Sequence, residues 1–171
     1  EIPWLSNASL NENYHRNQIS MIDSGTDHTC MIEERDSLYC WGQGSYGQLG
    51  YGSSANKYAP TQVSNSQRNY TQISSGDYHT CAIEEDGPIW CWGHRGSYRL
   101  GDGNPSSYSY APVRINSNYE IYDLTAVSIS AGGAHTCAIM IDSSTWCWGL
   151  NTNGQLGLGH SSTSANPQKV H

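Results

Sequence analysis

The chain has 171 residues, with 8 Lys and Arg against 15 Asp and Glu, a net charge of −7, and only 13% charged residues. That is enough chain for one domain with a real core. The acidic balance and the lack of any Lys or Arg run exclude the basic face that nucleic acid requires, and no apolar run approaches the roughly 18 residues of a membrane helix. Phe is absent, while 12 Tyr, 6 Trp and 18 Gly are present, a composition that suits strands joined by polar, aromatic loops.

In chain order, residues 1–17 form an N-terminal extension carrying Trp4, expected either to add an outer strand to a sheet or to remain a tail. The first residue is Glu1 rather than Met, which reads as a processed chain and points to a removed secretory signal. Three repeat units follow, over 18–69, 70–126 and 127–171, the second with an insertion over 116–125. Each contains one phrase: HTCMIEERDSLYCWG (28–42), HTCAIEEDGPIWCWG (79–93) and HTCAIMIDSSTWCWG (135–149). The repeated histidines, His28, His79 and His135, lie 51 and 56 residues apart.

The phrase alternates with a period of two, so in Ile89-Trp90-Cys91-Trp92 the tryptophans face one way and the cysteine the other. Asp86-Gly87 stands midway between Cys81 and Cys91, where a tight hairpin places a glycine at positive φ; Arg35 and Asp142 occupy the midpoints of the other copies. Six cysteines fall into three equally spaced pairs, Cys30 with Cys40, Cys81 with Cys91 and Cys137 with Cys147. If each pair faces across its hairpin, the Cα atoms come within reach of a disulfide, and an even, regular set points to an oxidising compartment. Metal binding is the rival reading, but zinc sites pair cysteines two to four residues apart, and nine intervening residues fit poorly. Two sequons, Asn7-Ala8-Ser9 and Asn69-Tyr70-Thr71, are candidate glycan acceptors.

After each second cysteine come Trp-Gly and a glycine-bounded turn: Gly47-Gln48-Leu49-Gly50, Tyr98-Arg99-Leu100-Gly101 and Gly154-Gln155-Leu156-Gly157. Each unit closes with a proline, Pro60, Pro112 or Pro167, expected just before a short strand. Short strands, glycine turns and a period near 50 predict an all-β fold of three four-stranded propeller blades. The pattern SxGxxHTCAI…WCWGxNxxGQLGxG…NPxxV resembles the regulator of chromosome condensation repeat over about residues 18–171, most closely in the third copy. The middle copy departs from it at Tyr98 and Arg99. The resemblance implies a β-propeller, and the cysteine pairs are similar to those of extracellular members. Propellers close with four to eight blades, so three leave open edges; a homo-oligomer, with a dimer as the smallest closed ring, is the expectation.

No catalytic constellation is found: there is no Gly-x-Ser-x-Gly elbow, no phosphate-cradling glycine loop and no His-Glu-x-x-His. Glu33-Glu34 and Glu84-Glu85 are expected to be solvated at hairpin tips, and Asp102 lacks the spaced oxygen ligands of a calcium loop. No enzyme activity, cofactor or metal is expected. The repeated histidines are read first as structural, a ring nitrogen bonding the frame, and second as ligand contacts. Asp27, Tyr78 and Ala134 precede them and vary within a constant frame. The candidate ligand-binding set is Asp27, His28, Tyr78, His79, His135, Tyr98, Tyr108 and Tyr110. Tyr with Ser, Asn and Gly suits sugars, whose apolar faces stack on rings, and repetition adds avidity. The leading expectation is thus a secreted, multivalent, glycan-binding lectin without membrane insertion or nucleic-acid partner. The alternative is a secreted protein-binding propeller, such as an enzyme inhibitor or other interaction scaffold. The nuclear exchange-factor role of the family fits poorly with an acidic, cysteine-paired chain.

Overall fold

The computed structural model describes residues 19–33, 37–64, 68–115 and 125–170. The extension 1–17 with Trp4, the sequon at Asn7, the hairpin midpoint Arg35 and nearly all of the 116–125 insertion lie outside them.

Twelve strands form three four-stranded antiparallel sheets. The first sheet contains β1 (Ile19–Ser24), β2 (His28–Glu33), β3 (Leu38–Gly42) and β4 (Lys57–Gln62), in that order. The second repeats the order with β5 (Tyr70–Ser75), β6 (His79–Glu84), β7 (Ile89–His94) and β8 (Tyr108–Arg114). The third does so with β9 (Ala126–Ala131), β10 (His135–Met140), β11 (Thr145–Gly149) and β12 (Ser164–Lys169). First strands adjoin one another, β1 beside β5 and β5 beside β9, so β1, β5 and β9 are the inner strands and β4, β8 and β12 the outer edges.

Each repeated phrase is the central hairpin of its sheet. Cys30, Cys81 and Cys137 stand directly opposite Cys40, Cys91 and Cys147. All three pairs are disulfides with Cα atoms 4.1 Å apart. Gly87 turns the middle hairpin at φ 95°. After each second cysteine the register to the outer strand shifts at Trp-Gly. This is a β-bulge, with Gly42, Gly93 and Gly149 at φ of 102° to 107°. Pro60, Pro112 and Pro167 lie inside β4, β8 and β12 rather than before them. An outer edge strand tolerates proline because its missing N–H can face away from the ladder.

The period of two has its reason in the packing. The middle sheet buries both faces, each against a different neighbour. The cysteine face of the first sheet (Cys30, Ile32, Leu38, Cys40) packs with Leu49 and Val63 against the tryptophan face of the second (Ile73, Ala82, Trp92). The cysteine face of the second (Cys81, Ile83, Ile89, Cys91) packs likewise against Ile129, Ala138 and Trp148 of the third. The core therefore lies between sheets, not within them.

One acidic position, Glu84, departs from its expected solvation. Glu84 lies in β6, where its carboxylate accepts Trp90 Nε1–H at 2.9 Å and pairs with Arg68 at 3.4 Å. Arg68 stacks over the Trp90 ring at 3.5 Å, so the outer tryptophan gathers an acid and a base around itself. Asp102 forms an ion pair with Arg95 at 2.8 Å, both side chains about nine-tenths buried.

Candidate functional site

The repeated histidines are the centre of the joints between sheets. His28 Nε2 meets Thr80 Oγ1 at 2.8 Å, and His79 Nε2 meets Thr136 Oγ1 at 2.9 Å. Each threonine donates its own proton onward, Thr80 to the Gln48 carbonyl and Thr136 to the Arg99 carbonyl. The same carbonyls accept Trp92 Nε1–H and Trp148 Nε1–H. Because each hydroxyl proton is already committed, the histidine must donate, which fixes the neutral tautomer with its proton on Nε2. Nδ1 of both rings is buried without a partner. Burial lowers the pKa of His28 to about 4, against the small opposing pull of Asp27. It lowers that of His79 well below the ordinary value, with Arg99 adding to the shift. Neither ring is presented to a ligand, so His28 and His79 leave the candidate set as joint residues. His135 is half-exposed and makes no side-chain hydrogen bond among the described residues.

The β1–β2 type loops and the long loops after β3, β7 and β11 share one end of the sheets. Main-chain bonds tie them in every copy: Gln43 N–H to the Asp27 carbonyl, His94 N–H to Tyr78 and Leu150 N–H to Ala134. The backbone at Asp27, Tyr78 and Ala134 is thus constant, and only the side chains vary. On this long-loop face the structure brings together Tyr78, Tyr108 and Tyr110 with two further rings, Tyr46 and His94. Tyr46 lies 4.9 Å from Tyr78, 5.3 Å from His94 and 5.7 Å from Tyr108. His94 lies 5.4 Å from Tyr108, which lies 6.2 Å from Tyr110. Tyr108 and Tyr110 are more than a third exposed. Asp27 is exposed on the loop of the neighbouring sheet and does not join them.

Beside the cluster is a cavity of about 330 Å³, lined by His94, Arg95, Ser97, Tyr98, Asn104 and Tyr108 among others. Its floor is built by Arg95, which bonds Asp102 through Nε, and the Ser106 hydroxyl and the Tyr108 carbonyl through Nη1. In the third copy Asn151 does the corresponding work, donating to the His160 and Ser162 carbonyls. Arg95 therefore pins the long loop as the asparagine does, but brings a cation and a larger side chain. Tyr98 stands where the other copies have Gly47 and Gly154, and keeps the same turn by adopting φ 57°. Its N–H bonds the Arg95 carbonyl at 2.7 Å, and its carbonyl accepts from Gly101 at 3.0 Å. Ser97 is also left-handed, at φ 58°. Non-glycine residues seldom hold such angles, and where they do, the strain concentrates at functional sites. Burial, with Arg99 adding to it, lowers the pKa of His94 from its ordinary value. Among the described residues, no group of three or more His, Cys, Asp or Glu is placed to hold a metal ion.

His94 and Arg95 escaped the sequence reading. Their signal was present: they replace Leu150 and Asn151 of the copy nearest the family pattern, next to the Tyr98 and Arg99 departure.

Three consecutive four-stranded blades, jointed by a histidine, a threonine and a tryptophan, define a β-propeller repeat protein. The chain belongs to the family described as the regulator of chromosome condensation (RCC1) repeat, which matches residues 35–83, 86–139 and 142–171, and in a second, shorter form 19–48, 70–98 and 126–155. The longer repeat starts just ahead of the second strand of each central hairpin, so the sequence repeat is offset from the sheets. Among its relatives is the ultraviolet-B receptor UVR8 of Arabidopsis thaliana, 33% identical over 145 residues, 84% of this chain and 32% of that protein. Another is the E3 ubiquitin-protein ligase HERC2 of Homo sapiens, 32% identical over 141 residues, 81% of this chain and 3% of that protein. Among solved structures, human WBSCR16 superposes with a TM-score of 0.81 at 20% identity, covering 90% of this chain and 38% of that one. Yeast RCC1 (Prp20) superposes at 0.78 and 20% identity, covering 90% and 37%. The chain thus spans about a third of UVR8 and a smaller share of HERC2.

Proposed function

We propose that this chain is a secreted, non-catalytic interaction module that holds a partner protein on its long-loop face. The observation that carries this reading is the tyrosine cluster beside the cavity of the middle blade, where the repeat departs from its own pattern. Tyrosine gives large, rigid contact area with a polar tip and dominates interface hot spots. Arg95 and Tyr98 hold the surrounding loop in a fixed shape, which lowers the ordering cost of binding. The three disulfides are consistent with an extracellular setting. A receptor and an E3 ubiquitin-protein ligase among the relatives favour the protein-binding alternative over the carbohydrate-binding expectation.

The test places a photo-crosslinking residue at position 110 and exposes the chain to secreted proteins of its source. One protein species should crosslink. With that protein purified, Tyr108→Ala should weaken binding at least about tenfold without changing the unfolding midpoint. Sugar-competed binding on a glycan array, with no protein crosslink, would return the chain to the lectin reading.

A further inference from the structure

The joint between the first and second sheets and the joint between the second and third are built alike, yet of the two only the first carries a row of rings on the long-loop face. There Tyr46, from the turn of the first sheet, meets Tyr78 at 4.9 Å, His94 at 5.3 Å and Tyr108 at 5.7 Å, and Tyr110 extends the row 6.2 Å beyond Tyr108. At the second joint the corresponding places hold Ser97, Ala134, Leu150, Thr163 and Ala165, with the same turn and the same main-chain bonds. A blade therefore closes on its neighbour without any ring at these places. The rings are an addition to the fold rather than a requirement of it.

What the row offers a ligand is narrow. The main chain beneath it is committed: Gly52 N–H to the Tyr110 carbonyl, His94 N–H to Tyr78 and Arg95 N–H to Ser107. The contacts left are ring faces and phenol hydroxyls, and the hydroxyls of Tyr46, Tyr78, Tyr108 and Tyr110 have no hydrogen-bond partner among the described residues. Burial, with Arg99 adding to it, lowers the pKa of His94, so that ring adds no charge at neutral pH. Arg95 is paired with Asp102, and Arg99 is buried against the Gly96 and Gly133 carbonyls. The charge that reaches solvent at the Tyr78 end is acidic. Asp77, exposed and next to Tyr78, accepts Thr26 Oγ1–H at 3.1 Å, which brings it beside the exposed Asp27.

We propose that this row is the track for an extended, proline-rich segment of the partner protein, with an arginine at the end that meets Asp77 and Asp27. The inference rests on the protein-binding reading of the long-loop face and names what that face holds. A polyproline II segment makes no hydrogen bonds within itself, so its carbonyls accept from the phenol O–H groups while its proline rings stack on the tyrosine faces. Its rise of about 3.1 Å per residue spreads about five residues along the row. It is extended before it binds, so little ordering entropy is lost. The arginine lies over the Tyr78 ring and against the carboxylates, where the ring face and the acids both attract a cation.

Fluorescence anisotropy of short labelled peptides on the 171-residue chain tests it. The parent is a proline-rich peptide with arginine at both ends, which makes the two binding directions equivalent. One relative carries glutamate in place of arginine, and another alanine in place of proline. The parent should bind, and each relative should bind at least about tenfold more weakly. Tyr46→Ser and Tyr78→Ala copy what the second joint has in Ser97 and Ala134, so the unfolding midpoint should stay put while each weakens the parent at least about tenfold. Asp27→Asn with Asp77→Asn, both at exposed positions, should bring the arginine and glutamate peptides to similar affinity. A parent peptide that does not bind would overturn the proposal, as would binding that ignores the exchange of arginine or of proline, or that survives both tyrosine substitutions. If a protein still crosslinks at position 110 in that case, the interaction reading stands and only the proline-rich segment is lost; if none does, the reading itself fails.

Discussion

Thr80 is a single hydroxyl on which three partners depend. It receives His28, donates to the Gln48 carbonyl and shares that carbonyl with Trp92. Thr80→Val keeps the shape and removes the hydroxyl, leaving the buried His28 N–H unpaired at a cost of about 1–3 kcal/mol; urea unfolding should show this as a lower midpoint with an unchanged slope. Tyr98 sets the opposite case. A left-handed non-glycine residue costs about 1–2 kcal/mol, and glycine's extra chain entropy returns about 0.5–1 kcal/mol of that. Tyr98→Gly should therefore leave stability unchanged or raise it by up to about 1.5 kcal/mol. Partner binding should weaken as the ring leaves the cavity wall. A stability loss above that range would mean the Tyr98 ring holds the loop together rather than serving a ligand.

At the scale of the element, each joint is built around a neutral buried histidine, which makes the blades sensitive to acid. The folded state holds His28 at a pKa of about 4, against 6.5 in the unfolded chain. Above about pH 6.5 both states are neutral there, and stability is at its full value. As pH falls from 6.5 towards 4 the unfolded chain takes up a proton that the folded chain refuses, so stability drops, by about 3 kcal/mol from His28. His79 acts in the same direction. Urea midpoints measured down through this window should fall steadily, and a flat profile would mean the joint histidines are not buried and neutral. Each hairpin is also closed by a bridge ten residues apart in sequence. Such short loops limit the gain to about 2–3 kcal/mol per bridge. Peptide mapping without reduction should recover only within-blade links, and Cys81→Ala with Cys91→Ala should cost about that amount.

For the whole molecule, the core lies between sheets, so no sheet has a core of its own. Leu49, fully buried where the first sheet meets the second, should cost about 2–5 kcal/mol as Leu49→Ala. The loss should appear at one midpoint, whether followed by tryptophan fluorescence or by backbone circular dichroism, because adjacent blades share the surface that melts. Two separated transitions would show that the blades are stable singly.

Three copies of one phrase determined a great deal without any coordinates. Period-two alternation around Cys81 and Cys91 fixes a hairpin with the cysteines opposed, because successive strand side chains must point to opposite faces. Repetition with glycine turns fixes the blade, since local geometry is set by residues close in the chain. Distant residues decided the rest. His28 is as polar as any surface histidine in the sequence, and only Thr80, 52 residues on, and the blade behind it make it a buried, neutral donor. Pro60 reads as a strand breaker, yet it sits in a strand because that strand is an edge. Tyr46, Tyr78, His94 and Tyr108 span more than 60 residues of chain, and no local pattern predicts that their rings meet within 6.4 Å. Local sequence sets which way a side chain points; only the stacking of blades decides what it meets.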